Sequence, residues 1–152
     1  MSEQENLILV RRYFDEFLNK RDLDLADEII ASGFTHNLHG FGDTHGREAW
    51  KQTTQAIVDA MPDAHWTVKE MVAQGDTVVV RWTFAGTHSG AEWVGWPATG
   101  AKISTPMVAF MYVTEGKISS GRTLADSLDM WQQFGVIPPL AEMIEQANSR
   151  LG

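Results

Sequence analysis

The chain has 152 residues, 43% hydrophobic and 21% charged, with no cysteine; this suits one domain with a single core and excludes disulfides, thiolate nucleophiles and thiolate metal sites. Twenty acidic against twelve basic residues give a formal charge of −8, which argues against nucleic acid, because phosphate contacts need a basic patch, and against anionic lipid. No apolar run nears the roughly 20 residues of a membrane span, and MSEQENLILVRRYF is acidic then amphipathic rather than signal-like, so a cytoplasmic location is expected.

Residues 5–20 place Leu7, Val10, Phe14, Phe17 and Leu18 on one stripe at spacings of three and four, which predicts an amphipathic helix. Asp24 precedes a short second helix in LADEII. FTHNLHGFGDTHG (34–46), rich in Gly, Asn and His, reads as irregular connection. Helical spacing returns over 47–61 through Trp50, Ile57 and Met61, and Pro62-Asp63 ends it. The period then becomes two: a strand over 65–73, a turn at Gly75-Asp76, and a strand over 77–85 with Val78, Val80, Trp82 and Phe84 on one face. AEWVGW (91–96) reads as a short strand before the turn-rich PATG. A long strand over 101–114 turns at Glu115-Gly116 into KISSGRTLAD, and helices follow at 127–134 and 139–151. Nothing repetitive or linker-like divides the chain, so 1–152 reads as one domain. Helices first and a meander after give an α+β class. A sheet covered on one face can curl around its helices into an open cone with an apolar interior.

PDAHWTVKEMVAQGDTVVVRWTFAGTHSG (62–90), PATG (97–100), GKI (116–118), and Asp126 followed by MWQQFG (130–135) together resemble the SnoaL-like polyketide cyclases of the nuclear-transport-factor-2-like superfamily. The resemblance spans roughly residues 5–138 and implies a curled antiparallel sheet forming a cone around N-terminal helices. It also implies cofactor-free chemistry, in which an aspartate at the end of the last strand serves as general acid/base for intramolecular aldol closure of a polyketide. Counting back from Gln132-Gln133 puts that role on Asp126. From the residues alone, Asp126 also reads as the N-cap of the helix at Ser127, with Asp129 in its first turn.

His88 shares parity with Trp82 and Phe84, so it is a second catalytic candidate, or else a histidine held in a turn between Gly86 and Gly90. His36 and Asn37 are candidates for binding a substrate oxygen at the cavity mouth. His36 and His39 could converge on a metal, but no third ligand or H-E-x-x-H spacing supports one, so neither metal nor cofactor is expected. Arg122 stands where relatives carry tryptophan. It shares strand parity with Asp126, roughly 13 Å away at about 3.3 Å per residue, and pointing inward it would hold an acidic group. Trp82, Phe110 and Tyr112 complete the expected substrate-binding set, Tyr112 bringing the one hydroxyl of residues 107–113. The expected ligand is a small hydrophobic molecule, with an acidic group if Arg122 points inward. The alternatives are isomerase or dehydratase chemistry, and non-catalytic binding of a small molecule. One uncovered sheet face predicts a homodimer.

Overall fold

The computed structural model describes Met1–Gly152. Helix α1 (Glu3–Arg12) starts with a reciprocal cap: the Ser2 hydroxyl accepts from Glu5 N–H while the Glu5 carboxylate accepts from Ser2 N–H. The helix then widens into a π-type segment, Tyr13–Asn19, which turns two adjacent pairs inward, Tyr13-Phe14 and Phe17-Leu18. Asp22 caps a short turn, Leu23–Leu25, that leads into α2 (Ala26–Ile29). The longest helix is α3 (Arg47–Ala60). Near the C-terminus stand α4 (Ser127–Phe134) and α5 (Leu140–Leu151), separated by Gly135 in the left-handed conformation and by Pro138-Pro139.

Six strands, β1 (Ile30–Leu38), β2 (Gly42–His45), β3 (His65–Gln74), β4 (Thr77–Thr87), β5 (Lys102–Thr114) and β6 (Lys117–Ala125), form one sheet in the order β2-β1-β6-β5-β4-β3. All neighbours run antiparallel except β1 and β6, which are parallel. Register breaks at Val68/Glu70 and Tyr112/Val113 insert an extra residue on one strand, and such bulges bend a sheet. The sheet curls over α1 and α3 without closing. Its concave face buries Val78, Val80, Trp82 and Phe84 of β4, Ile103, Ala109 and Met111 of β5, and Thr123 of β6.

Two stretches differ from their sequence reading. Residues 34–46 hold most of β1 and all of β2. Polar Thr35, His36 and Asn37 sit in a strand because β6 on one side and β2 on the other saturate the backbone; tertiary pairing overrides weak local propensity. Residues 91–96 form no sheet strand. Trp93 and Trp96 close on each other through mutual N–H···O bonds of 2.9 Å.

Candidate active site

The cone holds a cavity with about 780 Å³ of space between its walls, its open mouth included. Helix α3 and its C-cap residue Met61 give one wall, Trp50, Thr54, Ile57 and Met61, at the three-and-four spacing that keeps one helix face inward. Tyr13, Phe14 and Leu18 come from the π-type segment, which explains why adjacent residues share the same face. His36 and Leu38 come from β1, Trp82 and Phe84 from β4, Met107 and Met111 from β5, Thr123 from β6, and Met130 and Phe134 from α4; Phe41, Trp66 and Trp93 fill the remainder. Sixteen of nineteen lining residues are hydrophobic, and none is Asp, Glu, Lys or Arg. Such a cavity favours an uncharged, mostly apolar ligand, because a charge entering it would lose its hydration unpaired.

The polar groups of the wall are few. His36 Nε2 lies 2.9 Å from Thr123 Oγ1, and the imidazole packs against the Trp50 ring at 4.2 Å between centroids. Its Cδ2 edge rests on Gly121, where a Cβ would stand 3.2 Å away and press on the ring. Burial pushes the imidazole down to about 4, outweighing an upward pull from Asp43, so His36 is neutral at pH 7. On the other side of Trp50, its Nε1–H donates to Tyr13 Oη at 3.0 Å. Burial raises the phenol far above its ordinary value, so Tyr13 keeps its proton throughout the working range. Its oxygen already accepts from Trp50, which leaves the O–H as a donor. Thr54 Oγ1 and Trp82 Nε1 are buried without any hydrogen-bond partner.

A family model for SnoaL-like polyketide cyclases matches residues 8–134, a span that contains every strand and ends with α4. The chain belongs to the SnoaL-like polyketide cyclase family. Among solved structures, a provisionally assigned SnoaL-like polyketide cyclase from Jannaschia sp. CCS1 is 25% identical, over 90% of this chain and 95% of that one, with a TM-score of 0.81. IdmH of Streptomyces antibioticus, provisionally assigned as a polyketide cyclase, is 31% identical over 86% of this chain and 99% of its own, with a TM-score of 0.72. AclR of Streptomyces galilaeus, provisionally assigned as a hydroxylase, is 21% identical at a TM-score of 0.78, over 99% of this chain and 93% of that one, and shares the fold. No protein of curated function matches the chain.

The SnoaL-like cone gathers only part of the residue set expected from sequence. His36 and Trp82 line the cavity. Asp126 does not. It is exposed and caps α4, its Oδ1 accepting from Asp129 N–H at 3.0 Å, so the aromatic enclosure expected around this carboxylate is absent. Asp129 in turn accepts from Gln133 Nε2. His88 is inward and fully buried but braces a loop, with Nε2 on the Ala91 carbonyl at 3.0 Å and its ring against Phe134. Arg122, Phe110 and Tyr112 lie on the opposite sheet face from the cavity. The register pairs Phe110 with Arg122, while their neighbours Ala109, Met111, Gly121 and Thr123 are the buried ones. The inward parity expected for Arg122 is therefore off by one residue, and an acidic ligand loses its cation. Asn37, registered beside Arg122, donates to Asp43 and lines no cavity. Sequence reading missed Tyr13, Trp50, Thr54 and Thr123 as site residues. The available signal was a tyrosine inside an otherwise aliphatic and phenylalanine stripe, since a buried phenol requires a partner. No three His, Cys, Asp or Glu side chains come together to hold a metal, and no helix is long and apolar enough to cross a membrane.

Proposed function

We propose that this chain is a cofactor-free acid/base catalyst that removes a proton next to a carbonyl of a small, uncharged, mostly apolar ligand, in the manner of an intramolecular aldol closure. The observation that carries this reading is the neutral, buried His36 on an aromatic wall, with Thr123 behind it and the Tyr13–Trp50 pair beside it. A neutral imidazole can accept the α-proton at its unbonded nitrogen. The enolate oxygen then takes a hydrogen bond from the Tyr13 O–H, on a wall that is otherwise mostly apolar. The enolate carbon attacks a second carbonyl carbon of the folded ligand, and the proton returns from the imidazolium to the new alkoxide. On this reading the proton-transfer group is His36, and Asp126 acts as a helix cap.

The test uses β-tetralone, a neutral bicyclic ketone with acidic α-protons, and follows its deuterium uptake in D2O by NMR. Wild type is expected to accelerate exchange. His36→Gln is expected to lose about 10²–10⁴-fold, and Asp126→Asn to stay near wild type. Loss in Asp126→Asn with retention in His36→Gln would move the base to Asp126.

One observation favours a second reading, non-catalytic binding of a small apolar molecule: no carboxylate lines the cavity, and Asp126 is engaged outside it. Tight binding of β-tetralone without accelerated exchange would support that reading. The same proposal includes a homodimer. The convex sheet face carries Val72, Val79, Val108, Phe110 and Leu124 on adjacent strands, with Val72, Phe110 and Leu124 well exposed, and a twofold partner is the simplest cover for such a face.

A further inference from the structure

The segment joining β4 to β5 is fastened at both ends and nearly free between them. At its base, His88 N–H donates to Ala101 O at 2.9 Å and Gly100 N–H to His88 O at 2.8 Å. Gly90 and Ala91 donate to the last carbonyls of α3, Ala60 at 3.0 Å and Asp59 at 2.8 Å. The approach is so close that a Cβ on Gly90 would stand 2.0 Å from the Asp59 oxygen. From residue 92 to residue 99 the only backbone bonds are the two between Trp93 and Trp96. These indoles are also the only side chains of 91–100 that are not exposed. Trp93 lines the cavity, and Trp96 Nε1–H donates to the carbonyl of Phe134 at 3.1 Å, at the end of α4.

The turn between the two indoles is an unfavourable one. Val94 has φ +45° and Gly95 +83°, the two positive values of a type I′ hairpin turn, whose first position favours Asn, Asp or Gly. A β-branched residue there is strained, and Val94 is 64% exposed, so packing does not compensate. The tip is strained, apolar and exposed, and its arms are held by the Trp96 hydrogen bond and by the packing of the two indoles against the core.

We infer that the Trp93–Trp96 hairpin is the gate of the cavity: Trp93 is its outer wall and sets the size of ligand admitted, and the Trp96–Phe134 hydrogen bond is the latch. The inference takes the cavity as the ligand site proposed above but not its catalytic chemistry. Opening swings residues 92–99 about the fixed base at 91 and 100, and carries Trp93 out of the wall.

Two changes move the gate in opposite directions. Trp96→Phe keeps an aromatic ring and removes the latch N–H together with part of the indole's packing surface. Val94→Asn supplies a residue suited to the turn. Amide hydrogen exchange over residues 92–99, read at Trp93 and Trp96, its two hydrogen-bonded amides, is expected to speed up about tenfold in Trp96→Phe, the worth of one hydrogen bond. It is expected to slow about threefold or more in Val94→Asn as the left-handed penalty is relieved, with the base residues 88–91 unchanged in both. Stopped-flow binding of the neutral fluorophore N-phenyl-1-naphthylamine is expected to follow: association and dissociation both accelerate in Trp96→Phe and both slow in Val94→Asn, with little change in affinity. Trp93→Ala is expected to admit pyrene and wild type to exclude it. Exchange over 92–99 that is the same in all three chains, or that changes equally at 88–91, would overturn the gate and leave the hairpin a fixed wall. Loss of tetralone exchange activity with the gate behaviour intact would overturn only the catalytic proposal.

Discussion

At His36 the protein holds an imidazole where charging it is costly. In the unfolded chain it titrates near its ordinary value of 6.5, and in the folded chain near 4. Between these values the unfolded state binds a proton that the folded state does not, so this contribution is complete above about pH 6.5 and is lost as pH falls toward 4. It amounts to about 3 kcal/mol. Urea unfolding at pH 7 and pH 4 is expected to show this loss in wild type and a correspondingly smaller one in His36→Gln. Thr54 gives the opposite kind of test. Its buried hydroxyl has no partner, so Thr54→Val is expected to raise the unfolding free energy by about 1 kcal/mol, read from the urea midpoint. At this scale the sequence was legible in part. Asp126 could be read as a cap or as a base from its position before Ser127, and the hydrogen bond to Asp129 N–H is the capping geometry. The roles of Tyr13 and Thr123 were not legible, because both depend on partners 37 and 87 residues away.

The elements explain why some faces were read correctly and others were not. In β4 the alternation of Val78, Val80, Trp82 and Phe84 survives into the structure, since one face is wholly buried. In β5 and β6 hydrophobic residues occupy both faces, so periodicity could not tell which one looks inward. The register break at the β5–β6 hairpin then sets the parity of Arg122. β1 was unreadable for a different reason: its polar stretch becomes a strand only through its neighbours. One position on β6 tests the support of His36. A Cβ at Gly121 would stand 3.1 Å from Met111 Sδ and 3.2 Å from His36 Cδ2. Gly121→Ala is expected to cost about 1–2 kcal/mol and to shift the His36 ring resonances, because methionine can yield more readily than the imidazole. Helix α5 lies outside the matched family span and buries none of its residues. Removing residues 140–152 is expected to change the unfolding free energy by less than about 0.5 kcal/mol, measured by urea titration.

For the molecule as a whole, the sheet divides two tasks: the concave face holds the cavity, and the convex face carries the apolar rows proposed for pairing. Phe110→Glu, on the convex face, is expected to give a monomer by sedimentation velocity while leaving the cavity and its proton exchange intact. The α+β cone was legible from element order and from the family motifs, whereas the cavity wall was not, because it is assembled from eight separate strands and helical segments plus two connections. That wall supports the central claim, proton transfer through a neutral imidazole inside the cone. The pH dependence of β-tetralone deuterium exchange tests it most directly. The rate constant is expected to rise as pH passes about 4, where His36 loses its proton, to stay level through neutrality, and to collapse in His36→Gln. A rate half-maximal near pH 6.5, or a profile that persists unchanged in His36→Gln, would contradict it.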